Sequence, residues 1–297
     1  MKEFDEIYNE IVNNYSNTLN ESKKNIALKN FVVIVCSIVV ATAISVISAG
    51  VLLPLGIIIF VISIVYSVKT KKAYKLKFKN IVISKLVKGI SENLYYDPEG
   101  IISSDNYKKA GFLESFDNYS SDDLINGNYQ DINVQIANLF IQKEHEDYNS
   151  STGETDTYYT TVFSGLFAKA TLNTNNNFDC LIMKNKSYNG KSSLTLDSNE
   201  FEKYFDVSTN NKIESLRLIT SDVMTYLLDF KTTCNVTPEI SIKGNTIYIR
   251  LAVGSVFEPK TMGNDLDRNS VLKNYNYINM ILTLFVYFND KLKELNK

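Results

Sequence analysis

The sequence predicts an α+β protein with a membrane anchor, and three observations support this prediction. One uncharged, mostly apolar run fills residues 31–68 near the N-terminus. Apolar residues alternate with polar ones in several segments between residues 132 and 251, a pattern typical of half-buried strands. A long helical pattern then runs from Val271 to Leu295. We therefore expect an N-terminal helix, a two-helix transmembrane hairpin, and a mainly antiparallel sheet domain with a long C-terminal helix.

The charge distribution argues against a nucleic-acid-binding protein. Residues 1–79 hold 10 of the 31 basic and 5 of the 33 acidic residues, so residues 80–297 carry a net charge of −7. An acidic domain lacks the cations that neutralise phosphates, so we expect no nucleic-acid partner. The three cysteines are far apart and lack CxxC spacing, which indicates reduced structural thiols rather than disulfides or a zinc site.

The apolar run is too long for one membrane crossing. A straight helix of 38 residues would measure about 57 Å, against a hydrocarbon core of about 30 Å. Gly50, Pro54 and Gly56 lie at its centre, where helix breakers allow the chain to reverse. We expect two spans, at about 31–49 and 51–68; a re-entrant loop is the alternative.

Lysines flank this hairpin at its two ends and are absent from the turn between the spans. Lys23, Lys24 and Lys29 precede the first span, and six lysines occur between Lys69 and Lys79. The positive-inside rule therefore places both ends in the cytoplasm. The Lys69–Lys79 cluster has two compatible interpretations: a signal that sets the topology, and a binding site for anionic lipid.

Amphipathic helices are expected on both sides of the hairpin. Residues 1–30 carry a stripe that includes Ile11 and Tyr15, and the basic segment 69–100 carries one that includes Ile81 and Leu86. Because both segments continue neighbouring spans, we expect them to pair as an antiparallel stalk. Docking of either helix on the globular domain or on a second copy is the alternative. Asp97-Pro98-Glu99-Gly100 is expected to end the second helix.

Residues 101–297 are expected to form the cytoplasmic α+β domain. Residues 101–131 are expected to be rich in turns, and residues 143–157 are expected to form a polar loop. The pattern of residues 213–219 fits either a helix or a strand. A β-hairpin is predicted around Gly244-Asn245. Further strands are expected at 132–140, 162–172 and 178–183. Helices are expected at 199–205 and 221–230. The terminal helix is long and apolar enough for a third transmembrane span to be considered. Its asparagines favour a helix buried in the protein core instead.

Several short phrases, in order along the chain, resemble a bacterial family catalogued as domain of unknown function 3137. The resemblance covers roughly residues 80–260 and implies a membrane-anchored bacterial protein. It implies no catalytic or binding residues. The phrases are Asp122–Gly127, Val162–Ala168, Glu200–Val207, Leu218–Ser221, and Ile247–Ile249 with Phe257–Pro259.

The sequence contains two places where catalysis can be considered, and both favour a structural interpretation. The single histidine, His145, lies among acidic residues of the 144–156 segment, which could bind a hard cation or act in acid–base chemistry. A solvated hairpin tip explains the same residues. Ser164-Gly165 is better explained by a strand bulge or close packing than by a nucleophile. We therefore predict no catalytic, cofactor-binding or metal-binding residues, and no cofactor.

Together these features predict a membrane-anchored interaction or scaffold domain rather than an enzyme. The expected location is the bacterial cell membrane, as a multi-pass protein whose N-terminus and C-terminal domain are cytoplasmic. The lipid bilayer is its expected partner, and self-association into a homo-oligomer is compatible with the helical stripes. Two alternatives stay open: an enzyme that uses the carboxylates near residues 144–156, and a lipid or ligand sensor at the membrane surface.

Overall fold

The computed structural model describes residues 3–112, 115–150, 153–172, 176, 178–184, 193–260 and 263–295. The chain forms two compact units. The helical unit comprises Glu3–Lys85 and the segment Glu258–Ser270. The sheet unit comprises Leu86–Phe257 and the chain from Val271 onward. The predicted α+β class is confirmed.

Two long helices form most of the helical unit. Helix α1 (Phe4–Ile47) runs without interruption from the amphipathic segment into the apolar run, and α2 (Leu53–Phe78) follows a short turn. Gly50 has φ = 88°, a conformation that side chains with a Cβ rarely adopt, and the turn therefore falls at the predicted centre of the run. Helix α2 continues through a π-helical turn (Lys79–Ile83) into α3 (Ser84–Ile90).

The prediction that the second juxtamembrane helix continues as far as Asp97-Pro98-Glu99-Gly100 is wrong. The helix ends at Ile90, and Leu94–Asp97 instead forms strand β1. Leu94 pairs with Gly127 and Asp97 with Leu124 of the next strand. Leu94 fits the helical spacing of the preceding stripe, but pairing with a neighbouring strand overrides so short a local pattern.

The sheet unit is built on one nine-stranded sheet in the order β1-β2-β3-β4-β9-β8-β5-β7-β6, in which all strand pairs are antiparallel. The predicted two-residue turn at Gly244-Asn245 joins β8 to β9. Beyond β1, the strands are β2 (Asn118–Tyr129), β3 (Ile132–Asn149), β4 (Glu154–Thr171), β5 (Asp179–Lys184), β6 (Ser193–Leu194), β7 (Phe205–Thr209), β8 (Glu239–Lys243) and β9 (Thr246–Leu251).

Two segments predicted as irregular are strands. Residues 118–129, within the predicted turn-rich region, form β2, which has a register shift between Asp122 and Ile125. Most of the predicted loop at 143–157 is a two-stranded ladder that ends with the pair Asn149–Glu154. Its residues are largely exposed, so the apolar alternation that marks a half-buried strand is absent.

Helices complete the sheet unit. The ambiguous segment 213–219 is largely helical, and the predicted helix at 221–230 extends to Cys234. The terminal helix buries large apolar residues such as Phe285 and Phe288, as expected for a core helix, and it is not among the candidate membrane spans. The helices are α4 (Ser104–Ala110), α5 (Asn199–Glu202), α6 (Lys212–Leu218), α7 (Ser221–Cys234) and α8 (Arg268–Leu295).

An aromatic cluster fills part of the core between α4 and the sheet. Tyr107 of α4 lies 5.4–6.1 Å, between ring centroids, from four phenylalanines. The guanidinium of Arg250 stacks over Phe112, donates to the Tyr107 hydroxyl at 2.7 Å, and pairs with Glu239 at 2.6 Å. Because these contacts satisfy the buried cation, we assign Arg250 a structural role.

Candidate functional site

The paired helices α1 and α2 contain the two candidate membrane spans of the described residues, by length and apolar composition. Small and polar residues form their seam. The hydroxyls of Ser37 and Ser63 are 3.0 Å apart, and Thr70 donates to Asn30 at 2.8 Å. A Cβ added at Gly56 would lie 3.1 Å from the Cβ of Ala41, so this glycine allows close approach of the helices.

The outer surface of the spans is apolar. Val46, Ile62 and Phe31 expose 79%, 63% and 66% of their surface, values that a water-exposed helix would not carry in such a continuous run. Near the turn, a groove of about 510 Å³ opens between the helices. Its walls are almost wholly apolar, and the hydroxyls of Thr42 and Ser45 in its lining donate to carbonyls of their own helix, so the surface suits hydrocarbon.

The predicted stalk is confirmed within the helical unit. Ile7, Ile11 and Leu19 of α1 and Phe78 of α2 are buried, as the stripes require. Contacts between α1 and the continuous helical stretch of α2 and α3 have the antiparallel register expected from the hairpin. They are Lys77 to Ser22 at 2.6 Å, Tyr74 to the Leu19 carbonyl at 3.5 Å, and Lys85 to Glu10 at 3.9 Å.

Segment Glu258–Ser270, which we call the strap, fastens to both helices of the stalk. The Lys23 ammonium contacts Asp265 Oδ1 at 2.7 Å and the carbonyls of Lys260 and Gly263 at 2.8 and 3.0 Å. Asp265 Oδ2 accepts a short hydrogen bond from the Tyr74 hydroxyl. Burial, assisted by this bond to a carboxylate, raises the pKa of Tyr74 well above its usual value, which keeps the hydroxyl a donor. One buried acid thus joins α1, α2 and the strap.

The two ends of the strap are held in the same way. Glu258 pairs with Lys75 at 2.6 Å and with the buried Lys79 at 3.0 Å. At the other end Arg268 pairs with Asp5 at 2.6 Å. Between them, the Tyr8 hydroxyl donates to the Leu266 carbonyl at 2.8 Å.

These contacts separate the lysines that flank the hairpin into those that bind protein groups and those that do not. Lys23, Lys75, Lys77 and Lys79 bind protein groups of the stalk and strap. The lysines next to the apolar run are exposed instead, and we call this group the collar: Lys29, Lys69, Lys71 and Lys72. The Asn30–Thr70 hydrogen bond places Lys29 and Lys69 at the same level of the helix pair.

The long hairpin of β3 and β4 places His145 within a strand rather than in a loop. His145 pairs with Tyr158, its ring stacks on the tyrosine at 5.0 Å between centroids, and its Nε2 lies 2.8 Å from Thr160 Oγ1. At the base of this segment, Asp117 accepts from the Glu144 amide at 2.8 Å and pairs with Lys143 at 3.3 Å. The hydrogen bond from the Glu144 amide, with Lys143 adding to it, lowers the pKa of Asp117.

The acidic residues around His145 do not converge on one point. Side chains alternate across a strand, so Asp147 and Asp156, which are paired directly, share one face with His145. Glu144 and Glu146 lie on the opposite face. Among the described residues, no three of the carboxylate and imidazole groups in this segment come within ligand distance of a common metal ion.

Ser164-Gly165 and two of the cysteines have packing roles. Gly165 has φ = 154°, and a Cβ there would lie 1.9 Å from the Leu251 carbonyl oxygen, so close strand approach requires glycine. This geometry explains the Ser-Gly sequence without catalysis.

Burial raises the pKa of Cys180 to about 12 and that of Cys234 to about 11, so both thiols stay protonated near neutral pH.

Two polar clusters escaped the sequence analysis. Asp265 gave no periodic signal; the only hint was the acidic content of the segment between β9 and α8, opposite in sign to the lysine cluster. Asp123 is fully buried with φ = 61°, accepts from the Tyr96 hydroxyl, and accepts from Asn138 at 2.9 Å. Asp123 lies at the register shift of β2 between Asp122 and Ile125, where the regular alternation of inward and outward side chains is interrupted. The alternation of the sequence therefore could not predict its burial.

The family comparison matches a stretch that runs from β4 through the strap into helix α8. The family model described as Protein of unknown function (DUF3137) matches residues 161–289, which confirms the resemblance stated from the sequence phrases. The crystal structure of the mycobacterial trehalose monomycolate transport factor A, TtfA, is similar with a TM-score of 0.36 and 11% sequence identity. That similarity covers 68% of this chain and 95% of the other. No curated protein sequence matches the chain.

Proposed function

We propose that this chain is a multi-pass protein of the bacterial cell membrane that holds an interaction domain at the cytoplasmic face. The observation that carries the proposal is the arrangement of charge along the helix pair. The outer surface is apolar between the collar and the turn, and lysines are found only at the open end. By the positive-inside rule, that end and both termini are cytoplasmic.

The collar lysines are proposed to bind anionic phospholipid headgroups. They are exposed and adjoin the apolar run, whereas Lys75, Lys23 and Lys77 farther along the stalk are engaged by Glu258, Asp265 and Ser22. A juxtamembrane lysine near an anionic surface contributes about 1 kcal/mol. The proposed lipid site therefore contains only part of the Lys69–Lys79 cluster, namely the three lysines nearest the apolar run. It also contains Lys29 of α1.

An interaction role, rather than catalysis, accounts best for the sheet unit. The acids near residues 144–156 are divided between two faces of a ladder, an arrangement that suits contact with a partner more than acid–base chemistry. We propose that the domain binds a protein partner and that the anchor confines this binding to the membrane surface. Self-association is part of the proposal, and the stalk and spans offer helices for it.

Topology is tested by cysteine labelling in intact cells. In a Cys36→Ser background, Val51→Cys in the turn, at a 79% exposed position, should react with a membrane-impermeant maleimide, because the turn is on the outer side. Asn17→Cys on the exposed face of the stalk should react only after the cells are opened. Labelling of Asn17→Cys in intact cells would overturn the cytoplasmic placement, and protection of Val51→Cys in both conditions would favour a re-entrant loop.

The collar is tested with the full chain in nanodiscs. Native mass spectrometry should detect retained phosphatidylglycerol, and Lys69→Gln/Lys71→Gln/Lys72→Gln should lower that retention by about tenfold or more. The matched control, Lys109→Gln/Lys212→Gln/Lys293→Gln, removes three exposed lysines elsewhere and should retain lipid as the parent does. Equal losses in both variants would mean that net charge, not the collar, governs lipid retention.

A further inference from the structure

Strands β3 and β4 extend beyond the strands that flank them. Strand β2 pairs with β3 only as far as Gln142, and β9 pairs with β4 only from Leu166 onward. Residues 143–149 and 154–161 therefore form a two-stranded ribbon that projects from the sheet by roughly 20 Å. Two-stranded ribbons without further packing are marginally stable in water, so pairing with a third strand would stabilise the ribbon.

The outer edge of β4 is accessible over this length. Every residue from Glu154 to Thr161 is exposed, and among the described residues no strand other than β3 pairs with this stretch. Threonine and tyrosine dominate it, residue types that favour extended backbone. An exposed strand edge presents backbone donors and acceptors that another chain can pair with.

The side chains of the ribbon specify the chemistry of a partner. The ribbon contains five acidic residues and one lysine, which gives it a net charge of −4 with neutral histidine. Asp147 and Asp156 lie directly opposite each other, and like charges in this position repel. Tyr148, Tyr158 and Tyr159 expose 65%, 53% and 49% of their surface, and exposed tyrosine is enriched in protein interfaces.

We propose that the ribbon is a docking arm for a basic, extended segment of a partner protein, which adds as a strand to the free edge of β4. Lysine or arginine side chains of this segment relieve the repulsion between Asp147 and Asp156 and contact the exposed tyrosine rings. A second copy of the ribbon fits less well, because it would bring another net charge of −4 to the same edge. This inference deepens the proposed interaction role and names its partner class.

The experiment uses the full chain in nanodiscs and three short synthetic peptides. One alternates lysine with valine, the second alternates glutamate with valine, and the third is the lysine peptide with a central proline. The lysine peptide should bind at least about tenfold more tightly than the other two, because glutamate reverses the charge and proline removes a backbone donor. Hydrogen exchange should then show new protection in residues 154–161.

Variants locate the site. Asp147→Lys/Asp156→Lys keeps two like charges opposite each other, so the repulsion between the two strands of the ribbon is the same as in the parent. The affinity for the lysine peptide should nevertheless fall by about tenfold or more. Asp229→Lys/Asp290→Lys makes the same change in net charge on exposed positions of α7 and α8, and should bind as the parent does.

Three outcomes would overturn the docking arm. Equal binding of the lysine and proline peptides would mean charge attraction without strand addition. Equal weakening by both double variants would mean a diffuse field rather than a site. Protection of residues 154–161 that grows with protein concentration and needs no peptide would identify a second copy as the occupant. Each outcome leaves the membrane topology untouched, because cysteine labelling tests that separately.

Discussion

The two halves of the helix pair obey opposite rules. In the stalk, large apolar residues such as Ile11 and Phe78 fill the seam, and polar residues face outward. In the spans, Ser37 and Ser63 lie in the seam, and large apolar residues face outward. The change occurs at Asn30 and Thr70 within continuous helices. On the proposed topology it marks the bilayer boundary, because water drives apolar groups inward whereas lipid offers them an equal environment outside.

The largest expected effect comes from placing a charge in the stalk seam. Ile11 is 1% exposed, and Ile11→Glu would remove buried apolar surface and bury an unpaired carboxylate. We expect the stalk to lose about 4 kcal/mol of stability, while the sheet unit stays folded around its own core. Hydrogen exchange of residues 4–30 measures the loss.

Asn17→Glu is the control for this change, because it places the same charge on the exposed face of α1. It should leave exchange of the stalk nearly unchanged. Unaltered exchange in Ile11→Glu would mean that the apolar seam does not hold the stalk together.

The second expected effect concerns the strap. Asp265→Asn removes the carboxylate that Lys23 and Tyr74 share, but Lys23 keeps two carbonyl partners and is 24% exposed. We therefore expect a loss of about 2 kcal/mol, less than for a fully buried ion pair. Hydrogen exchange of residues 258–270 and 70–78 should accelerate together.

Asp267→Asn is the matched variant within the same strap. Asp267 pairs with Lys260 and is more exposed, so its loss should alter exchange little. If both variants accelerate exchange equally, the buried position of Asp265 has no special role in holding the strap.

The sequence predicts features that depend on a long, one-sided pattern. The hairpin follows from a 38-residue stretch without charge, and the stalk follows from stripes that persist for several turns. Helix α8 is predicted for the same reason, since apolar residues on most of its sides need a buried environment. These signals are redundant, so no single residue decides them.

The missed features depend on contacts between distant residues. Leu94–Asp97 is a strand because β2 lies beside it, and the ribbon is a strand pair although neither face is buried. The strap is held by Glu258, Asp265 and Arg268, which are near the stalk only after folding. For the candidate site, the lysine cluster was predicted, but its division into engaged and exposed lysines required the structure.

The third prediction tests the close packing of the spans. A Cβ at Gly56 would lie 3.1–3.2 Å from the Cβ, Cα and carbonyl oxygen of Ala41, and a leucine there has no space. Gly56→Leu should weaken the pairing of the spans by about 1–3 kcal/mol. The measurement is the yield of a disulfide between Ser37→Cys and Ser63→Cys, whose hydroxyls are adjacent in the parent. Ile57→Leu, at a 55% exposed position, is the control and should keep the parental yield.

The smallest effect should come from the serine pair itself. The Ser37 and Ser63 hydroxyls are 3.0 Å apart, but each also lies 2.7 Å from a carbonyl of its own helix, Ile34 or Phe60. Each hydroxyl has one proton, so a bond between the helices forms only when one serine gives up its local carbonyl. The net gain is therefore small even in lipid, and we expect a coupling of about 0.6 kcal/mol. A double-mutant cycle of Ser37→Ala and Ser63→Ala, measured by forced unfolding of the hairpin in bicelles, gives this value directly. A coupling above about 2 kcal/mol would show that hydrogen bonding, rather than the fit of Gly56 against Ala41, holds the spans together.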